Sequence, residues 1–163
     1  MLIQTTRFGE VEIQDSDILT FPSGLLGFSN EHHYVLIEDE MGSPFQWLQS
    51  LDNQELAFVT ISPEIAFNDF SLDLTEDHLK KLEAKDIKDL TVKCIVTMAK
   101  QLKDVTVNLQ GPLLLNLKKK LCMQVVVADG SYTTRHPLFG DKLEIASKEK
   151  TDQVDKQLVA QAG

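Results

Sequence analysis

The chain has 163 residues, a formal net charge of −9 and two cysteines, with 42% of its residues hydrophobic. That length suits one domain with a single sizeable core. No apolar run approaches the roughly 20 residues that cross a bilayer, and Met1 to Thr6 lacks the basic and long apolar regions of a signal peptide. The expectation is a cytoplasmic protein. Its charge is unevenly laid out. Residues 1–79 carry fifteen carboxylates against one cation, Arg7, a net −14, whereas residues 80–163 carry fifteen cations and ten acids, a net +5. An acidic half of this kind repels phosphate backbones, which argues against direct nucleic-acid binding. It attracts a basic partner and speeds the encounter.

In chain order, Leu2 to Thr5 and Glu10 to Ile13 predict two short strands joined through Gly9. Asp17 to Phe21 predicts a third, ended by the turn residues Pro22-Ser23-Gly24. The apolar Leu25-Leu26-Gly27-Phe28 follows, either a loop over the core or a patch that a partner buries. Tyr34 to Ile37 reads as a strand closed by Glu38-Asp39-Glu40. Phe45 to Leu51 and Leu56 to Ile61 read as a hairpin across the polar turn Asp52-Asn53-Gln54-Glu55. One helix is signalled: Thr75 caps it, Glu76 and Asp77 suit its positive end, and Leu74 and Leu79 stand at the staple positions. Thr91 to Met98 is rich in β-branched residues and predicts a strand.

The stretch from Val105 to Asn116 organises the rest. Val105, Val107 and Leu109 alternate with Thr106, Asn108 and Gln110, the pattern of a half-buried strand. Gly111-Pro112 breaks it, and Leu113-Leu114-Leu115 resumes. Proline cannot donate to a ladder, so the break predicts a corner between two strand segments. After Lys118-Lys119-Lys120, Cys122 to Ala128 predicts a strand, and Asp129-Gly130 a hairpin turn returning at Tyr132. About nine short strands and one or two short helices predict a mostly β fold. We expect a small antiparallel β-barrel-like single domain over residues 1–141. Residues 142–163 are expected to be a polar tail, either a marginal helix or disordered.

Catalytic and metal chemistry is poorly represented. Adjacent His32 and His33 face opposite sides of a strand, so only one can reach a shared ion. Cys94 and Cys122 lie in apolar runs without a CxxC spacing and read as buried free thiols. No nucleophile elbow, phosphate loop or HExxH is present. The protein is expected to be no enzyme and to need no cofactor or metal.

Several segments, taken together and in order, resemble one family. They are Thr6-Arg7-Phe8-Gly9-Glu10, Leu19 to Phe28, Pro44 to Asp52, Leu56-Ala57-Phe58-Val59, Val105 to Leu113, Gln124 to Val127, Tyr132 and Arg135-His136-Pro137-Leu138. The chain resembles the flagellar assembly factor FliW family from about residue 3 to 138. Gly111 departs from an expected Ala, and Leu26 from a common Pro. The resemblance implies a small β-barrel-like module, without catalysis, that binds flagellin and the basic translational repressor CsrA. It implies that CsrA is antagonised allosterically, away from its RNA site. A monomer is the expected oligomeric state. Glu38, Asp39 and Glu40, with Asp69 and Asp73, are the candidate acidic face for CsrA. Phe21, Leu25 and Phe28, with the amides of Asn108 and Gln110, are the candidate flagellin groove; their alternative role is core and turn. The competing readings are a flagellin-binding chaperone without a regulatory arm, and a small barrel enzyme or ligand carrier.

Overall fold

The structure, a computed structural model, describes residues 1–39 and 43–139. Glu40 and the polar segment from residue 142 lie outside the described residues. Strands β1 (Leu2–Thr5) and β2 (Gly9–Glu12) form a separate hairpin, turned at Gly9 with a positive φ of 68°. The remaining strands are β3 (Leu19–Thr20), β4 (His33–Glu38), β5 (Gln46–Ser50), β6 (Ala57–Ile61), β7 (Thr91–Thr97), β8 (Thr106–Val107), β9 (Leu113–Asn116), β10 (Leu121–Gln124) and β11 (His136–Pro137). Two short helices, α1 (Pro63–Ala66) and α2 (Glu76–Lys81), lie between β6 and β7.

Seven strands close on themselves in the order β7-β6-β5-β4-β3-β10-β9, with β9 returning to β7. All neighbours are antiparallel except β3 and β10, which meet in parallel at Thr20 and Leu121. The expected β-barrel is therefore present, and its closure pairs most of the strand edge that an open sheet would leave exposed.

The predicted corner makes the closure possible. β8 pairs with the end of β7, Val107 opposite Val96, while β9 pairs with its beginning, Leu113 opposite Lys93. Between these two registers the five residues 108–112 face only Cys94 and Ile95, an excess of three. They bulge out around Gly111-Pro112, so one strand of the barrel is answered by two segments of another. β8 then carries β11 on its far side and β9 carries β10. Val105, Val107 and Leu109 are fully buried, and Thr106, Asn108 and Gln110 only partly, as the alternation predicts.

Period-two alternation splits the apolar side chains into an interior and an outside. Leu19, Phe21, Tyr34, Leu48, Leu113, Leu115 and Cys122 fill the interior. Their neighbours in sequence point outward and are covered. Trp47, Val59, Ile61, Cys94 and Val96 pack under the β8–β11 layer with Leu102, Val105 and Leu138. Leu114 and Val125 pack under α2 with Leu82. Trp47 is further shielded by the first hairpin: Arg7 lies over its ring at 4.5 Å and Phe8 meets it edge-on at 5.5 Å.

Three local readings change. α2 has the capping predicted at Thr75, whose hydroxyl accepts the His78 amide at 3.1 Å. α1, however, was not expected, because Pro63 reads as a strand terminator as readily as a first helical residue; Ser62 stands at its N-cap position. The Cys122–Ala128 strand is shorter, ending at Gln124, because Pro112 opposite offers no N–H to continue a full ladder. Gly130 does turn with φ 82°, yet no strand returns at Tyr132. Instead the Tyr132 hydroxyl donates to the Ser71 carbonyl at 3.0 Å and accepts its amide at 2.9 Å. The Thr133 carbonyl accepts the amides of Leu109 and Gln110.

Candidate functional site: an acidic rim, a plugged barrel mouth and an adjoining groove

β4 delivers Glu38 and Asp39 to one rim of the barrel. Glu38 is exposed and accepts from Gln46 Nε2 at 3.4 Å across the β4–β5 pair. Lys93 of β7 is half-buried beside this rim, with Nζ 3.3 Å from Ser62 Oγ. Burial pulls its pKa down, while the nearby Glu64 and Glu38 carboxylates push it back up. Asp69 and Asp73 are exposed on the loop that joins α1 to α2. Asp73 lines a groove against Val125–Asp129, away from the end of β4. The candidate acidic residues therefore occupy more than one place on the surface. Among the described residues, Asp69 and Asp73 form no salt bridge and Glu38 has only the nearby Lys93, whereas Asp77 pairs with Lys81 at 3.1 Å.

At the opposite mouth, Phe21 to Asn30 folds across the barrel end. Gly24, at φ 66°, turns this loop so tightly that a Cβ there would sit 2.6 Å from the Phe28 carbonyl oxygen. Leu25 and Phe28 then exchange backbone hydrogen bonds at 3.3 and 2.8 Å. Of the candidate flagellin residues, Phe21 and Leu25 are core: Phe21 packs edge-on to Tyr34 at 5.3 Å, and neither side chain reaches the surface. Phe28 is at the surface, edge-on to Phe58 at 5.2 Å. Its neighbour Leu26 is exposed as well, which the apolar run alone does not signal.

The structure does bring the loop and the amide-bearing corner together, through a residue outside the candidate set. Gln124 Oε1 accepts the Leu26 amide at 2.9 Å, and its Nε2 donates to the Gly111 carbonyl at 2.9 Å. Asn108 Oδ1 accepts the Gly111 amide at 2.9 Å, so this amide is spent on holding the corner. The Gln110 backbone is likewise engaged, its carbonyl accepting from Val127 at 2.8 Å. The signal for Gln124 was present: it is the one strongly polar residue in an otherwise apolar strand.

The groove beside this mouth has a volume of about 270 Å³ and lies between Ser71–Asp73 and Val125–Asp129, with His78 and Tyr132 on its walls. Asp129 accepts the Ser131 amide at 2.9 Å, and its side-chain and backbone bonds with Ser131 hold its carboxyl below the usual range.

The remaining reactive side chains are occupied with structure. Asp52 accepts the His32 and His33 amides at 2.7 and 3.0 Å. Its partial burial favours the neutral acid, but those two bonds and the His33 ring hold the carboxyl below its ordinary value. His32 Nδ1 lies 3.0 Å from the Phe21 carbonyl. Burial pushes both Cys94 and Cys122 up to about 12, which keeps them protonated and unreactive. Among the described residues no three His, Cys, Asp or Glu side chains gather as a metal site.

The family model described as FliW protein matches residues 2–138. The chain belongs to the FliW family. It is 42% identical over 139 residues to the flagellar assembly factor FliW of Geobacter sulfurreducens, covering 85% of this chain and 87% of that one. It is 39% identical over 143 residues to that of Natranaerobius thermophilus, covering 87% and 95%. The FliW of Bacillus subtilis is 38% identical, with 86% and 99% covered. A crystal structure of the flagellar assembly factor FliW superposes with a TM-score of 0.81 at 35% identity, covering 87% of this chain and 99% of that chain. The family thus accounts for the closed barrel and places the chain in flagellar assembly.

Proposed function

We propose that the protein is a cytoplasmic binding module that holds flagellin and the translational repressor CsrA. In this reading it relieves repression of flagellin mRNA by an allosteric protein–protein contact. Membership of the FliW family supplies the flagellar context. The observation that carries the reading further is the state of the early carboxylates. Asp69 and Asp73 face solvent without a salt bridge among the described residues, and Glu38 is exposed with only the half-buried Lys93 near it, so the later lysines leave most of this charge open. A negative surface left open in this way suits a basic protein and repels an RNA backbone. The barrel interior is filled by buried side chains, which favours a binder over a carrier of small molecules.

Allostery here is a definite thermodynamic claim. Binding of this protein lowers CsrA's affinity for RNA, and RNA lowers CsrA's affinity for this protein by the same factor. The test is a titration of the protein into a complex of CsrA with leader RNA, with and without flagellin. Release of RNA, reversed by flagellin, is the expected result. Unchanged RNA affinity would remove the regulatory arm and leave a flagellin-binding chaperone. No capture of either protein would remove the whole reading.

A further inference from the structure

Beyond β10 the chain stays beside the β8–β9 corner, but only every second residue is engaged. The Val125 amide donates to the Pro112 carbonyl at 3.0 Å and the Val127 amide to Gln110 at 2.8 Å. In an antiparallel ladder the residue between them turns its N–H and C=O the other way. The Val126 N–H and C=O have no partner among the described residues. β3, the strand on that side, is two residues long and meets β10 at Leu121 alone. The pairing of β10 with β3 therefore stops well before Val126 and leaves this short run open on that side.

An open edge is usually blunted by charge, proline or a covering element. Gln124 to Ala128 contains neither a charge nor a proline, and Val126 is 56% exposed. The groove of about 270 Å³ follows the same run, with Ser71–Asp73 as its far wall. Its two carboxylates, Asp73 and Asp129, have no cationic partner among the described residues. Backbone groups, an exposed apolar side chain and two uncompensated negative charges thus lie side by side.

We propose that the Val126 edge takes up an extended segment of a partner polypeptide as an added strand. The segment sets an apolar residue over Val126 and brings a lysine or arginine to Asp73 or Asp129. Main-chain pairing would supply affinity, and the carboxylates would select for a cationic segment. The inference rests on the reading of this protein as a binding module and specifies where one partner docks.

The test uses the full chain and three end-blocked heptapeptides: alternating Val and Lys, alternating Val and Glu, and the Val–Lys peptide N-methylated at alternate residues. Chemical-shift changes upon adding the Val–Lys peptide should centre on residues 124–129. The Val–Glu and N-methylated peptides should bind at least about tenfold more weakly. Val126→Pro removes an amide that the fold does not use, so it should keep the parent's melting temperature and lose about tenfold in peptide affinity. Parent-like affinity in Val126→Pro, or shifts centred elsewhere, overturns the proposal. Should that variant unfold, Asp73→Asn/Asp129→Asn decides: affinity for Val–Lys falls severalfold at low salt, or the proposal is overturned. Concentration-dependent dimerisation abolished by Val126→Pro would assign the edge to a second copy and overturn it too. Capture of flagellin and CsrA separates this inference from the function above. Val126→Pro should lose one partner and keep the other. Equal capture by variant and parent sinks the edge alone, whereas no capture by the parent sinks the function while the peptides still judge the edge.

Discussion

Cys94 and Cys122 sit on opposite sides of the barrel wall, one under the outer layer and one in the interior, and neither is exposed by more than 1%. Their thiols are pushed from 9.0 up to about 12 because burial penalises the thiolate. The sign of the consequence follows from proton counting. Below about pH 9 both folded and unfolded chains hold these protons, and the stability is fully present. Between pH 9 and 12 the unfolded chain releases them and the folded one does not, so stability falls by about 1.4 kcal/mol per pH unit for each thiol. Urea midpoints at pH 8 and pH 10 should show the fall, and a Cys94→Ala/Cys122→Ala variant should show a flatter one. Neither thiol should react with an alkylating reagent until the protein unfolds. Burial of these residues was legible in their apolar neighbours. Gln124 stands out as a polar residue in an apolar strand, but its partners do not, because hydrogen bonds to Leu26 and Gly111, distant in sequence, leave no mark on local periodicity.

The loop from Phe21 to Asn30 behaves as a stopper for the barrel mouth, and its shape hangs on one backbone angle. Gly24→Ala would combine a positive φ with a Cβ 2.6 Å from a carbonyl oxygen that cannot swing away. A loss of about 1–3 kcal/mol is expected, read as a lowered melting temperature. Gly111→Ala should be milder, since its Cβ would meet only the tips of Gln124 and Asn108, at 3.0 and 3.1 Å. Both hairpins with alternating sequence, β1–β2 and β5–β6, could be read from the chain. So could the capped helix α2, and the break at Gly111-Pro112. The strands around that break could be predicted, but not that both would pair with β7, since register depends on long-range packing. The missing return strand after Gly130 also has a long-range origin: a local turn signal is overruled when a side chain, here Tyr132, finds a distant partner at Ser71.

For the molecule as a whole, the uneven charge laid down along the sequence survives folding, because Glu38, Asp69 and Asp73 stay exposed and none of them forms a salt bridge among the described residues. The candidate residues do not share one spot, however, since Asp73 belongs to the groove and Glu38 to the rim. Reversing Glu38, Asp39 and Glu40 to lysine should slow association with CsrA and flatten its dependence on ionic strength, while dissociation changes little. Equal association rates at low salt for the variant and the parent would remove this rim from the encounter.

The chain's single tryptophan, Trp47, is held between the barrel wall and the first hairpin by Arg7 and Phe8. Its emission is therefore a private signal of that hairpin. If the N-terminal thirteen residues lift away before the barrel opens, fluorescence should shift to the red at lower urea than the far-ultraviolet transition. If the two curves coincide, the lid and the barrel melt as one cooperative unit.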